Sequence, residues 1–87
     1  MDMDESKRGE ETFLAKLCTS WRFTVHEPVR DILGLKEGDK LMVTIRKETF
    51  LANLHKGWRV TIYEPVRGRL GLKEGDYLRV TIRKEEA

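Results

Sequence analysis

The chain contains one sequence twice, and this repeat limits its possible folds more than any other feature. The segment ETFLA at 11–15 returns at 48–52, an offset of 37 residues (48 − 11), and the copies 11–47 and 48–84 align without a gap. A copy of about 40 residues is near the size below which an isolated unit needs metal, disulfides or association. The repeat therefore predicts two copies that share one core with pseudo-twofold symmetry.

Length and composition predict one small domain with polar ends. We expect a disordered tail at 1–10, the domain at 11–84 and an acidic C-terminal end at 85–87. Charged residues make up 37% of the chain, glutamine is absent, and Asn53 is the one asparagine. Such a composition resembles that of thermophilic proteins. The single cysteine, Cys18, cannot form an intrachain disulfide, and the sequence has no long apolar run. These features predict a cytoplasmic protein with no membrane partner.

Charge is distributed unevenly between the body and its ends. The first copy has seven basic and five acidic residues and the second has eight and four, so the body carries +6 while the whole chain carries +2. A basic body between acidic ends suits a phosphate or nucleic-acid partner. It is also common in proteins that bind neither, so charge alone leaves both interpretations open.

Hydrophobic alternation predicts three strands in each copy, with a short helix before the third. In both copies the first two strands are expected to form a hairpin, with turns at Thr19-Ser20 and at Lys56-Gly57. The segments 27–34 and 64–71 each begin with Glu-Pro and end in glycine, which is typical of a short packed helix. The predicted core positions are Phe13, Ala15, Leu17, Trp21, Phe23, Val25, Leu41, Val43, Ile45 and their equivalents 37 residues later.

Six strands and two short helices predict a mainly β fold class. A small six-stranded closed barrel built from two ββαβ repeats is the expected architecture, because closure hides the sheet edges that each copy would otherwise expose.

Two motifs in the second copy resemble a known family. The segments WRVTI at 58–62 with EPVR at 64–67, and LGLKEGDYL at 70–78, are similar to the signature of the AbrB/MazE/SpoVT swapped-hairpin DNA-binding domains. The resemblance extends from about Phe13 to Arg83. It implies a barrel of the cradle-loop group, in which two chains of the swapped-hairpin family are here joined in one. Both the swapped-hairpin and the RIFT-type connection stay open, and we favour the RIFT-like one because fusion removes the need for exchange between chains.

The resemblance also implies a function and a set of contact residues. It implies a transcriptional regulator that binds double-stranded DNA, here as a monomeric pseudo-dimer. The basic positions that it implies are Arg22, Arg59, Arg30 and Arg67, with Lys16, Lys56 and Arg69 extending the surface. The chain departs from the family where the usual turn glycine is Trp21 or Trp58 and the usual isoleucine-proline is Val25-His26 or Ile62-Tyr63. In the competing interpretation, the arginines are solvated positions that pair with Glu27, Glu64, Asp39 or Asp76.

Other functions compete with DNA binding. Catalysis requires a nucleophile with a base, paired carboxylates or a metal set, and no such spacing is visible, so we expect no enzyme, no cofactor and no metal. His26, His55 and Cys18 do not recur at the offset, which argues against a symmetric site. Trp21 and Trp58 either cover the core or stack on a base or flavin. The alternatives are a protein-interaction or flavin/nucleotide-binding barrel, contacted through Trp21, Trp58, Tyr63 and Tyr77, and a duplicated scaffold without DNA binding.

Overall fold

The computed structural model describes residues 9–85. The elements are β1 (Glu10–Lys16), β2 (Arg22–Thr24), α1 (Glu27–Leu33), β3 (Lys40–Ile45), β4 (Glu48–Asn53), β5 (Arg59–Thr61), α2 (Glu64–Leu70) and β6 (Tyr77–Lys84). Residues 1–8 of the predicted tail and residues 86 and 87 of the predicted acidic end lie outside the described residues. The first strand begins at Glu10, one residue before the predicted body, because Glu10 pairs with Arg83 of β6.

The strands form two antiparallel sheets. One has four strands in the order β1-β6-β3-β4, and the other is a two-stranded ribbon of β2 and β5. Each neighbouring pair joins a strand of the first copy (11–47) to a strand of the second copy (48–84). The one residue outside these ranges is Glu10, at the start of β1. Neither copy therefore has a sheet of its own, as the small size of a single copy predicts. The described strands are hydrogen-bonded as two sheets, and not as one closed barrel.

The hairpins that the sequence predicts between the first two strands of each copy are wrong. The first strand pairs with β6 over its whole length, and only an isolated bridge joins Cys18 to Arg22. Ser20 and Trp21 both take left-handed backbone angles, with φ of 67° and 60°, and they turn the chain out of the first sheet. The second copy behaves in the same way: β4 pairs with β3, and a single bridge remains between His55 and Arg59.

A two-residue turn joins the two copies. Arg46 and Lys47, with φ of 50° and 73°, lie between the paired residues Ile45 and Glu48. Positive φ at both central residues is the mark of a type I′ turn, whose twist suits antiparallel strands. The Arg46 guanidinium also donates to the Leu70 carbonyl oxygen at the end of α2, at 2.8 Å.

One hydrophobic core receives side chains from both sheets and both helices. The predicted inward positions are buried, except that Phe13, Phe50, Trp21 and Trp58 are partly buried at its margin. Each helix ends, as predicted, at a left-handed glycine: Gly34 and Gly71 have φ of 65° and 64°. Neither helix within 9–85 is long and apolar enough to span a membrane. The molecule is a small, compact, mainly β domain with two short helices.

Candidate nucleic-acid interface

The two-stranded ribbon turns one face to the core and the other to solvent. Phe23 and Val60 are paired and fully buried, so the residues on either side of them point away from the core. We call this outward surface the ribbon face, and its residues are Arg22, Thr24, Arg59 and Thr61. Because β2 and β5 are antiparallel, Arg22 lies opposite Thr61 and Arg59 lies opposite Thr24. The two arginines are therefore diagonal to each other.

The ribbon-face arginines are exposed and have no carboxylate partner among residues 9–85. Two of the four acidic residues that the sequence offers as partners, Asp39 and Asp76, are engaged elsewhere. Asp39 lies 3.6 Å from the Lys84 ammonium and accepts from the Lys36 N–H, and Asp76 accepts from the Lys73 N–H. The ion pairs that the sequence allows with Asp39 and Asp76 are thus not formed by Arg22 or Arg59.

Two grooves flank the ribbon face, and both arginines line each of them. The His55 groove has a volume of about 350 Å³ and is lined by Arg22, His55, Lys56, Arg59 and Thr61. The Cys18 groove has a volume of about 230 Å³ and is lined by Cys18, Thr19, Arg22, Thr24 and Arg59. No acidic side chain within 9–85 lines either groove.

The loops that form the outer walls of the grooves are held by equivalent hydrogen bonds. The Glu74 carboxylate accepts from the Ser20 N–H, and the Glu37 carboxylate accepts from the Gly57 N–H, both at 2.8 Å. Each carboxylate comes from the turn after a helix of the other copy. The two copies thus fix the two groove walls reciprocally.

The helix arginines are placed differently from the ribbon arginines. Arg30 lies over the Trp58 ring at 4.3 Å and Arg67 lies over the Trp21 ring at 4.4 Å, measured from the guanidinium carbon to the ring centroid. Both arginines and both tryptophans are half-buried. Each tryptophan directly precedes a ribbon arginine, so each stack lies at the side of the ribbon. The indole rings pack against the core, as the structural interpretation predicts, and a guanidinium covers one face of each ring.

The remaining predicted contact residues fall in three different environments. Lys56 lines the His55 groove. Lys16 lies on β1, with its ammonium 5.8 Å from the centre of the Tyr77 ring. Arg69 is held by Glu48, with two guanidinium nitrogens donating to the two carboxylate oxygens at 3.1 and 3.2 Å. Of these three residues, only Lys56 joins the ribbon arginines.

Sequence reasoning missed several residues that line the grooves. Thr24 and Thr61 recur at the 37-residue offset, and this recurrence could have found them. Cys18 and His55 are equivalent positions with different residues, so the search for recurring residues discarded both. Among residues 9–85, no group of three or more His, Cys, Asp or Glu side chains could hold a metal ion.

Comparison with known proteins gives the fold. No protein-family model and no curated protein match the chain. The chain is similar to the solution structure of PHS018 from Pyrococcus horikoshii, with a TM-score of 0.70, 20% identical residues and 100% of both chains covered. A likeness at this identity shows the fold alone, so the resemblance to the swapped-hairpin regulators stays a prediction.

Proposed function

We propose that this protein is a non-enzymatic, cytoplasmic regulator that binds double-stranded DNA through the ribbon face. The observation that carries the proposal is the diagonal pair Arg22 and Arg59, exposed on a two-stranded ribbon and without a carboxylate partner among residues 9–85. The motifs at 58–78, which resemble those of the AbrB/MazE/SpoVT domains, also favour DNA binding.

The dimensions and chemistry of the ribbon face suit duplex DNA. The major groove admits a two-stranded β-ribbon, and an arginine on it can donate two hydrogen bonds to the O6 and N7 atoms of one guanine. Thr24 and Thr61 supply hydroxyl groups beside the arginines, and these can contact phosphates or base edges. Arg30 and Arg67 contribute positive charge at the sides of the ribbon, where their stacked guanidinium groups keep a fixed orientation.

The proposal includes a single-chain pseudo-dimer whose six strands close into a RIFT-like barrel of two ββαβ repeats. Two strand registers support the symmetry, since Phe23 pairs with Val60 and Thr44 with Thr81, each 37 residues apart (60 − 23 and 81 − 44). A twofold axis through both pairs relates the two copies. Two isolated bridges between the four-stranded sheet and the ribbon support closure: the Cys18 N–H donates to the Arg22 carbonyl oxygen at 2.7 Å, and the His55 N–H donates to the Arg59 carbonyl oxygen at 2.8 Å.

The test is a salt titration of binding to a 30-base-pair duplex of mixed sequence, followed by fluorescence anisotropy. Each lost phosphate contact lowers the slope of log affinity against log salt by about 0.9, so R22Q/R59Q should lower it by about 1.8 and weaken binding at least about tenfold if both arginines contact phosphates. If one arginine reads a base instead, its affinity loss depends on sequence and the slope falls less.

The matched control is R79Q/R83Q, which removes two exposed arginines from the outward face of the four-stranded sheet. It should change affinity by less than about threefold, since only long-range charge is lost. Equal losses in the two double variants would place binding away from the ribbon. No binding of the unaltered protein at low salt would refute DNA binding itself.

A second candidate is a nucleotide-sized anionic ligand bound in the His55 groove. Its volume of about 350 Å³ lies at the lower end of the range for small-molecule sites. Trp58 comes three residues after His55 and would report such a ligand. A change in tryptophan emission on adding flavin mononucleotide, with no change on adding duplex DNA, would favour this candidate over the first.

A further inference from the structure

We propose that the two grooves beside the ribbon are not equivalent: the His55 groove holds a DNA phosphate, and the Cys18 groove does not. This inference rests on the proposed DNA binding and adds to it a phosphate site with named ligands. The donors are the Lys56 ammonium, the His55 imidazole and the Arg59 guanidinium, all of which line one groove.

The two grooves match at every lining position except two. Arg22 and Arg59 line both, and Thr24 in one groove is the equivalent of Thr61 in the other. The loops at their rims are fixed by equivalent hydrogen bonds from Glu74 and Glu37. The differences are the equivalent pairs Cys18/His55 and Thr19/Lys56. The surrounding structure is thus held constant while two side chains change.

The two differing positions change the groove from a weak to a strong anion site. Lys56 brings a full positive charge with three donors, whereas Thr19 brings one neutral hydroxyl. His55 brings a ring N–H donor, whereas Cys18 brings a thiol that donates weakly. Charge-assisted hydrogen bonds to phosphate are roughly twice as strong as neutral ones, so the phosphate belongs in the groove with Lys56 and His55.

Net charge alone is the competing explanation, and the repeat provides a variant that separates the two. T19K/K56T keeps the composition and charge of the basic residues but moves the lysine into the Cys18 groove, away from His55. C18H/T19K/H55C/K56T moves both side chains together and rebuilds the whole site in the other groove. The first variant tests position, and the second tests whether the two residues suffice.

The experiment measures the affinity of each variant for the 30-base-pair duplex at several salt concentrations, with folding checked by circular dichroism. K56T should weaken binding about tenfold and lower the salt slope by about 0.9, as expected for one lost phosphate contact. T19K/K56T should stay several-fold weaker than the unaltered protein. The four-residue exchange should restore both the affinity and the slope.

Two results would overturn the inference. If T19K/K56T binds as tightly as the unaltered protein, net charge explains the binding and the groove is not a site. If K56T binds with unchanged affinity and slope, no phosphate occupies the His55 groove. In either case R22Q/R59Q still reports on the ribbon, so a failure of the phosphate site is distinct from a failure of DNA binding.

Discussion

The stacked pairs Arg67–Trp21 and Arg30–Trp58 each join the two copies, and the free energy that each pair contributes to folding can be measured. A double-mutant cycle for the first pair compares R67M, W21L and the combined variant with the unaltered protein. Methionine keeps the aliphatic stem of the arginine but removes its charge, and leucine keeps apolar volume but removes the aromatic ring. The cycle therefore isolates the interaction between the guanidinium and the indole.

The geometry sets the expected size of this interaction. The guanidinium carbon of Arg67 lies 4.4 Å from the ring centroid, inside the roughly 6 Å limit for a cation–π contact, and both side chains are half-buried. Exposed contacts contribute about 0.5–1 kcal/mol and desolvated ones about 2, so a half-buried pair should contribute about 1 kcal/mol. In a domain of this size, 1 kcal/mol corresponds to a shift of about 4–8 °C in melting temperature.

The assay is urea unfolding followed by circular dichroism, and the Arg30–Trp58 pair is the internal control. Its distance of 4.3 Å is nearly the same, so the two coupling energies should agree to within about 0.5 kcal/mol. The single variants should differ, however. The buried Arg30 Nε has no hydrogen-bond partner among residues 9–85, so R30M also removes an unsatisfied donor and should cost less than R67M.

A coupling energy near zero in both cycles would refute this reasoning. The arginines would then cover the rings without stabilising them, and the link between the copies would depend on the core and the strand pairing alone.

Two further changes follow from the backbone and the groove walls. Lys47→Gly should raise the free energy of unfolding by about 0.5–1 kcal/mol in urea, since glycine accepts the φ of 73° without strain; a loss of stability would contradict the type I′ assignment. Glu37→Gln should weaken the hydrogen bond to the Gly57 N–H and destabilise the fold by about 1 kcal/mol. Glu74→Gln should cost a similar amount through Ser20, and unequal losses would contradict equivalent groove walls.

The parts of the fold that depend on local chemistry could be predicted from the sequence. Period-two alternation identifies the buried faces of the strands, because successive side chains point to opposite faces. The ends of the helices are predictable too, since Gly34 and Gly71 occupy left-handed positions that favour glycine.

The strand partners could not be predicted in the same way. The identical dipeptides at 46–47 and 83–84 show why: the first forms a type I′ turn and the second continues β6. A strand follows Arg46-Lys47, and the turn brings that strand back against β3, whereas Arg83 pairs with Met42 and Glu10. Strand pairing depends on contacts between residues that are distant in sequence, and a local sequence pattern does not encode these contacts.

Part of the candidate site was predicted from the sequence. The groove residues Cys18 and His55 were not predicted, because neither recurs in the other copy. The family resemblance implies Arg22 and Arg59, which also recur at an offset of 37 residues, and the ribbon brings them together on one face. The test of recurrence rejected Cys18 and His55, although they line equivalent grooves beside those arginines. Recurrence selects residues that support a symmetric scaffold, and it cannot detect a site that uses only one copy.

Joining the copies in one chain changes what equivalent positions can do. In a dimer of identical chains, the two grooves must carry the same residues, so a phosphate site in one is repeated in the other. Within one chain, positions 18 and 55 and positions 19 and 56 are free to differ while the backbone around them stays equivalent. The exchange of four residues between the grooves therefore tests more than the location of a phosphate. It tests whether differences between copies, and not only identities, indicate where a duplicated protein binds its ligand.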